Sequence, residues 1–155
     1  LRSALSRLSQ AGSVVARCGD TFRDADRSAG KFDAVITNPP WDAVKPDRRH
    51  MKELPPESQA AYLQGLKSFD VALAQSYPEA QPSRKFAGWG TNLSRVGMAV
   101  SQRLTRSGGH ISIVMPGSVI ADSNHSALRA SITEASTIME VAAYPAEARL
   151  FDGVD

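Results

Sequence analysis

Leu5 and Leu8, set among Arg, Ser and Gln over residues 2–9, form the first patterned stretch. It predicts the end of a surface helix, which Gly12 stops because glycine tolerates the left-handed cap. Val14, Val15 and Ala16 lie within Ser13–Arg17, an apolar run that suits a buried strand. An acidic turn, Cys18-Gly19-Asp20-Thr21-Phe22, follows at that strand's C-terminal end. Residues 23–31 are charged and small and predict a loop or short exposed turn. Phe32–Thr37 is the next strand: Val35 and Ile36 favour β-structure, and the scarcity of polar interruption predicts a parallel strand covered on both faces. Pro39 and Pro40 must end it, since neither can donate to a ladder.

Beyond a polar stretch at 42–55, a helix is predicted from Pro56, with Tyr62, Leu66, Phe69 and Leu73 at helical spacing. Residues 76–90 contain two prolines and two glycines and read as a loop. Thr91 or Asn92 can cap a helix that places Leu93, Val96, Val100 and Leu104 on one face, with Gly108-Gly109 as its stop. His110–Met115 is a third strand, ended by Pro116-Gly117. Asp122 or Ser123 can cap a helix that buries Leu128 and Ile132. Ile138–Ala142 reads as a fourth strand, and 145–155 as a loop containing Leu150 and Phe151. Alternation of strands and helices predicts an α/β fold with a parallel sheet, because parallel neighbours need a crossover. Ligands in such sheets bind outside the strands' carboxyl ends. Asp20, Asn38–Trp41 and Pro116 all fall there and could line one cleft.

Composition narrows the class. With 155 residues, 42% hydrophobic and 22% charged, the chain suits one globular domain rather than a disordered segment. No apolar run approaches the roughly 20 residues of a membrane span, and the start lacks the pattern of a signal peptide. Cys18 is the single cysteine, which excludes an internal disulfide and a cysteine metal site and fits a reducing cytoplasm. The net charge of +2 announces nucleic-acid binding only where basic residues cluster. Because the chain begins at Leu1, it is expected to be a piece of something longer.

The candidate chemistry centres on Asn38-Pro39-Pro40-Trp41. An amide or aromatic amine attacks poorly, because its nitrogen lone pair is delocalised. A site helps by accepting hydrogen bonds from both N–H groups, which holds the nitrogen and favours the geometry of attack. The acceptors must be neutral and fixed. The Asn38 side-chain oxygen and the Pro39 carbonyl are candidates, stiffened by the two prolines. Trp41 offers a flat face on which a planar base could stack, a contact worth about 1–3 kcal/mol. Neither a metal nor a cysteine nucleophile is needed. Taken as four letters, the motif could equally be a rigid turn, since Asn-Pro commonly starts one. Its place directly after Phe-Asp-Ala-Val-Ile favours the functional reading.

In these features residues 13–41 resemble the middle of the S-adenosylmethionine-dependent N6-adenine DNA methyltransferase domain, whose catalytic motif is Asn-Pro-Pro-aromatic. The likeness is nearest to the large enzymes of restriction-modification and phage-defence systems. Asn92-Leu93 with its helix, Gly108-Gly109, Pro116, Leu128-Arg129 and Leu150–Asp155 are similar to later segments of that family. The resemblance implies a partial Rossmann-like methyltransferase fold, a mostly parallel sheet with flanking helices. Residues 1–155 would be the C-terminal part of a catalytic domain, with 42–90 inserted after the catalytic motif. It further implies S-adenosylmethionine as cofactor and DNA as partner. A flipped adenine would bond to Asn38 and Pro39 and stack on Trp41, with Pro40 completing the turn. Asp20 would hold the cofactor's adenine, with Phe22 against that ring and Asn38 bordering the cofactor. The family's glycine-rich cofactor loop has no counterpart here, so the piece alone is expected to lack half its cofactor site, to bind S-adenosylmethionine weakly or not at all, and to be inactive.

Two alternatives stand beside this reading. The same turn serves methylation of a protein glutamine amide or an RNA base, and a non-catalytic nucleic-acid-binding domain could keep the fold. Lys45, Arg48, Arg49, His50 and Lys52 could contact DNA phosphates or form a solvated loop diluted by Asp47 and Glu53. Arg84 and Lys85 carry the same two readings. Asp20 could be only a turn-capping acid. His110 reads as structural, and His50 and His125 lack metal-ligand spacing.

Overall fold

A computed structural model describes residues 17–82 and 90–145. The predicted helix at 2–9, the strand residues Val14–Ala16, the Arg84-Lys85 pair and the Leu150–Asp155 segment lie outside the described residues.

Asp20 starts the first element. Its Oδ1 accepts from the Phe22 N–H at 3.0 Å, capping the short helix α1 (Thr21–Asp24). A 3₁₀ turn over Ala25–Ser28 continues it. Residues 23–31, predicted as loop, are therefore mostly helical, because a local cap supplies partners that the charge pattern does not reveal. Strand β1 spans Phe32–Thr37, as its apolar run predicts.

The polar stretch at 42–55 contains a helix, α2 (Arg48–Glu53), capped by Asp47 Oδ1 at 2.7 Å from Arg49 N and 3.3 Å from His50 N. Helix α3 spans Pro56–Ser76 and begins on a proline whose missing N–H costs nothing in the first turn. Its predicted apolar face divides by depth. Leu73 is buried and Leu66 and Phe69 pack on the core, whereas Tyr62 meets α2 edge-on at His50.

Asn92 caps α4 (Leu93–Leu104). This helix ends at Thr105, well before Gly108-Gly109, and β2 (Thr105–Ile113) starts there directly. The glycine pair thus does not stop the helix but serves a bulge inside the strand. Phe32 pairs with Thr105 but Ala34 with His110, so β2 carries extra residues between them. Gly108 adopts φ +73°, and a Cβ on Gly109 would lie 2.9 Å from the Asp33 carbonyl oxygen. The last helices among the described residues are α5 (Ser118–Ala121), a 3₁₀ turn over Ser123–His125 capped by Asp122, and α6 (Ser126–Ala135).

The fold is α/β. Among the described residues the sheet has two strands, β1 paired with β2 in parallel, and α2, α3 and α4 lie within the crossover. Helix α4 covers one face and carries the buried Val96, Ala99 and Val100. The other face is open: Phe32 is 44% and Ile36 84% exposed. Coverage on both faces, predicted from the apolar run, is not found among the described residues. Ile138–Ala142 is not a strand. A strand needs a ladder, no described edge supplies one, and Met139 stands 83% exposed. None of the described helices is long and apolar enough to cross a membrane.

Three distant segments meet at Arg103. Its guanidinium pairs with Asp26 at 3.0 Å, donates to the Ser76 carbonyl at 2.7 Å, and lies 4.4 Å from the centre of the Tyr77 ring. Tyr77 is buried, and its hydroxyl donates to the Phe22 carbonyl at 2.8 Å. Tyr77→Phe should therefore cost about 1 kcal/mol, the net worth of one hydrogen bond. Urea unfolding would read it as a lowered midpoint with an unchanged slope.

Candidate functional site

The last bond of the sheet runs from Val114 N–H to the Thr37 carbonyl at 3.1 Å, and the Asn38–Trp41 turn begins where it ends. Asn38 and Pro40 are exposed, Pro39 is buried and Trp41 is half-buried. Pro39 owes its depth to Gly97 on α4. A Cβ at Gly97 would lie 2.3 Å from Pro39 Cβ and 2.8 Å from its Cγ. The ring therefore rests directly on the helix backbone.

One cavity of about 340 Å³ opens beside this turn. Val35, Thr37, Asn38, Pro39 and Pro40 form one wall. Gly19, Asp20, Thr21 and Phe22 form a second, while Gly97, Val100, Ser101 and Leu104 line it from α4. Five residues predicted from sequence, Asp20, Phe22, Asn38, Pro39 and Pro40, are thus brought together. Trp41 and Pro116 do not line the cavity, so the single cleft predicted for all of them is smaller than expected on that side. Trp41 instead continues the turn toward the 90–93 segment, where its carbonyl accepts from Asn92 Nδ2 at 3.2 Å.

Asp20 acts as a capping acid and as a cavity residue at once. One carboxylate oxygen caps α1, and the other lies 3.3 Å from Arg23 Nε. A carboxylate has about four lone-pair sites, so acceptor capacity remains at the cavity rim. Phe22 is half-buried and fixed through its carbonyl by Tyr77.

Of the α4 residues of the cavity, the sequence pattern places Val100 and Leu104 on an apolar face but at no site, and it singles out neither Gly97 nor Ser101. One signal was present: Gly97 interrupts the apolar face between Val96 and Val100, and a glycine inside a helix costs about 1 kcal/mol relative to alanine. Such a residue marks a close approach.

The basic group next to the turn is exposed on α2. Lys45, ahead of the helix, pairs with Asp42 at 3.8 Å, and Arg48, Arg49 and Lys52 give α2 its cationic surface, with His50 beside them. Asp47 is held below the usual carboxylate range by the backbone N–H groups of Arg49 and His50. The Arg106 guanidinium does the same for Asp33 through a 2.6 Å bond, at the end of β1 remote from the turn. No group of three His, Cys, Asp or Glu among the described residues is placed to hold a metal.

His125 sits apart from the cavity, 6% exposed, with Nδ1 3.8 Å from Asp122 Oδ2. Burial pushes its pKa below 6.5; Arg95 and Arg129 push the same way, and Asp122 opposes them. The folded state therefore binds this proton less readily than the unfolded chain does. The stabilising contribution is complete above pH 6.5 and is lost as pH falls through the depressed folded value. Thermal melts from pH 7.5 down to pH 5 should show a falling midpoint, and His125→Gln should flatten that slope; equal slopes would exclude His125 as the group responsible.

In comparisons with known proteins, no family model, curated protein or solved structure gave a significant match to this chain.

Proposed function

We propose that the chain belongs to an enzyme that transfers a methyl group from S-adenosylmethionine to the N6 amino group of adenine in DNA, within a Rossmann-like methyltransferase fold of the restriction-modification or defence type. The observation that carries this reading is the sharing of one cavity by Asn38, Pro39 and Pro40, at the carboxyl end of a parallel strand, with Asp20 and Phe22. Its volume lies at the low end of the roughly 300–1,000 Å³ typical of small-molecule sites.

The residues present suit the adenine end of the cofactor. Phe22 supplies an aromatic face, and Asp20 supplies an acceptor for an exocyclic amino group. The cofactor contributes a methyl group activated on a cationic sulfur.

The chain's own residues prepare the acceptor nitrogen. Asn38 Oδ1 and the Pro39 carbonyl accept its two N–H bonds, which localises the lone pair and aims it. Both acceptors are neutral, so they do not strip a proton before transfer; the proton displaced by the new N–C bond is released to water afterwards. Their bonds strengthen as positive charge develops on nitrogen, which lowers the barrier rather than merely tightening binding. The burial of Pro39 against Gly97 keeps its carbonyl from swinging away. Trp41 offers a stacking face to a base flipped from the duplex, and the α2 cations offer contacts to phosphates.

Incubation of the full-length protein with tritium-labelled cofactor and DNA, RNA or protein acceptors tests the proposal. Label recovered as N6-methyladenine from DNA supports it. Label only in RNA or in glutamine amides overturns the substrate, and label in none overturns the activity.

A further inference from the structure

The Asn38–Trp41 turn is held from its far side by a segment about fifty residues away in sequence. Residues 42–44 and 90–93 form a short antiparallel ladder. Val44 N–H donates to the Thr91 carbonyl at 2.9 Å, Gly90 N–H to the Val44 carbonyl at 3.1 Å, and Leu93 N–H to the Asp42 carbonyl at 2.9 Å. Gly90 is required for this approach, because a Cβ there would lie 2.3 Å from the Val44 carbonyl oxygen. The 90–93 segment is itself anchored. Thr91 is fully buried, its N–H donates to Asp70 Oδ1 of α3 at 2.5 Å, and its hydroxyl meets Gln81 Oε1 at 3.1 Å.

Asn92 joins the ladder to both the helix and the turn. Its Oδ1 accepts from Ser94 N at 3.0 Å and Arg95 N at 3.3 Å, capping α4, while its Nδ2 donates to the Trp41 carbonyl. The amide fills both roles at once because its acceptor oxygen and donor nitrogen are separate atoms pointing apart. The backbone from Asn38 to Val44 is thus pinned by β1 at one end and by this ladder at the other, with two prolines removing freedom between them.

We infer that Asn92 is a positioning residue: through the Trp41 carbonyl it sets the orientation of the Asn38 and Pro39 acceptors and of the Trp41 face. Its place in methyl transfer rests on the function proposed above; its mechanical role does not. Asn92 acts through the turn and touches no reacting atom.

Asn92→Asp separates capping from clamping. Aspartate caps a helix about as well as asparagine, yet cannot donate to a carbonyl. Asn92→Ser makes the same cut without adding charge, with a capping hydroxyl one atom shorter. The chain has two tryptophans, so a Trp89→Phe background leaves Trp41 as the sole tryptophan emitter. Both variants should keep the parent melting temperature within a few degrees while acrylamide quenching of Trp41 rises, the released turn gaining about fivefold in population, the weight of one net hydrogen bond. In the active enzyme kcat should fall by at most that factor, in step with the rise in quenching, while KM for the cofactor stays unchanged. Unaltered Trp41 quenching in both variants overturns the proposal, as does a change matched entirely by loss of global stability. Absence of methyl transfer in the parent would overturn the functional reading alone, since quenching decides the clamp without activity.

Discussion

Asn38→Ala is expected to lower kcat for methyl transfer by about 10²–10³-fold, the loss seen when one fixed polar group aimed at developing charge is removed. Stability should barely move. The side chain is exposed at the end of β1, and exposed substitutions away from special features stay within about 0.5 kcal/mol. KM for the cofactor should change little, because the lost bond is one that strengthens in the transition state. Rates from single-turnover transfer of labelled methyl, set beside a thermal melt of the same variant, check both halves. Methyl transfer that survives this substitution would remove Asn38 from the mechanism.

The second large effect is expected at Gly97. Alanine there gains about 1 kcal/mol of helix propensity. The added Cβ would meet Pro39 Cβ at 2.3 Å, and a proline ring pinned between β1 and the 90–93 ladder has no flexible end to move aside. Overpacking costs about 1–3 kcal/mol, and an approach this close to a ring that cannot yield belongs in the upper part of that range, so the net is a loss of up to about 2 kcal/mol. The same clash displaces the Pro39 carbonyl, so activity should fall by more than the stability change explains. Gly65→Ala is the matched control. It also lies inside a helix, but nothing stands within 4 Å of its added Cβ. That substitution should stabilise the protein by up to about 1 kcal/mol through propensity alone. Denaturant midpoints of the pair should move in opposite directions, and a shared direction would show that Pro39 does not press on Gly97 as the geometry requires.

Local chemistry made much of the chain legible from sequence. Val35 and Ile36 followed by two prolines could hardly be anything but a strand with an abrupt end. Thr91 or Asn92 before Leu93, Val96 and Val100 reads as a cap before an amphipathic face, and in the structure Asn92 is that cap. Asp47 and Asp20 act through equally local bonds, yet the surrounding charge masks them, so 21–22 reads as a turn, 23–31 as a loop or short exposed turn and 42–55 only as a polar stretch, where the structure has the helices 21–24 and 48–53. Gly108-Gly109 misled for a related reason. Glycine marks freedom of the backbone, but whether that freedom ends a helix or bulges a strand depends on what lies alongside, here Phe32–Ala34.

Ile138–Ala142 shows the limit of pattern. Its residues favour β-structure, but a strand is a relation between two segments, and its own side chains cannot supply the second. The exposure of Ile36 follows from the same dependence. At the turn, sequence by itself determined the stiff polar corner: Asn38 with its amide, the two rings that immobilise it, and the strand that ends before it. Tertiary structure decided what that corner faces. It brought Asp20 and Phe22 to the same cavity, laid Pro39 on Gly97, and fastened Trp41 to Asn92. Those contacts join residues up to dozens of positions apart, and they exist only because the crossover helices fold back onto the strand, an arrangement that no local periodicity encodes.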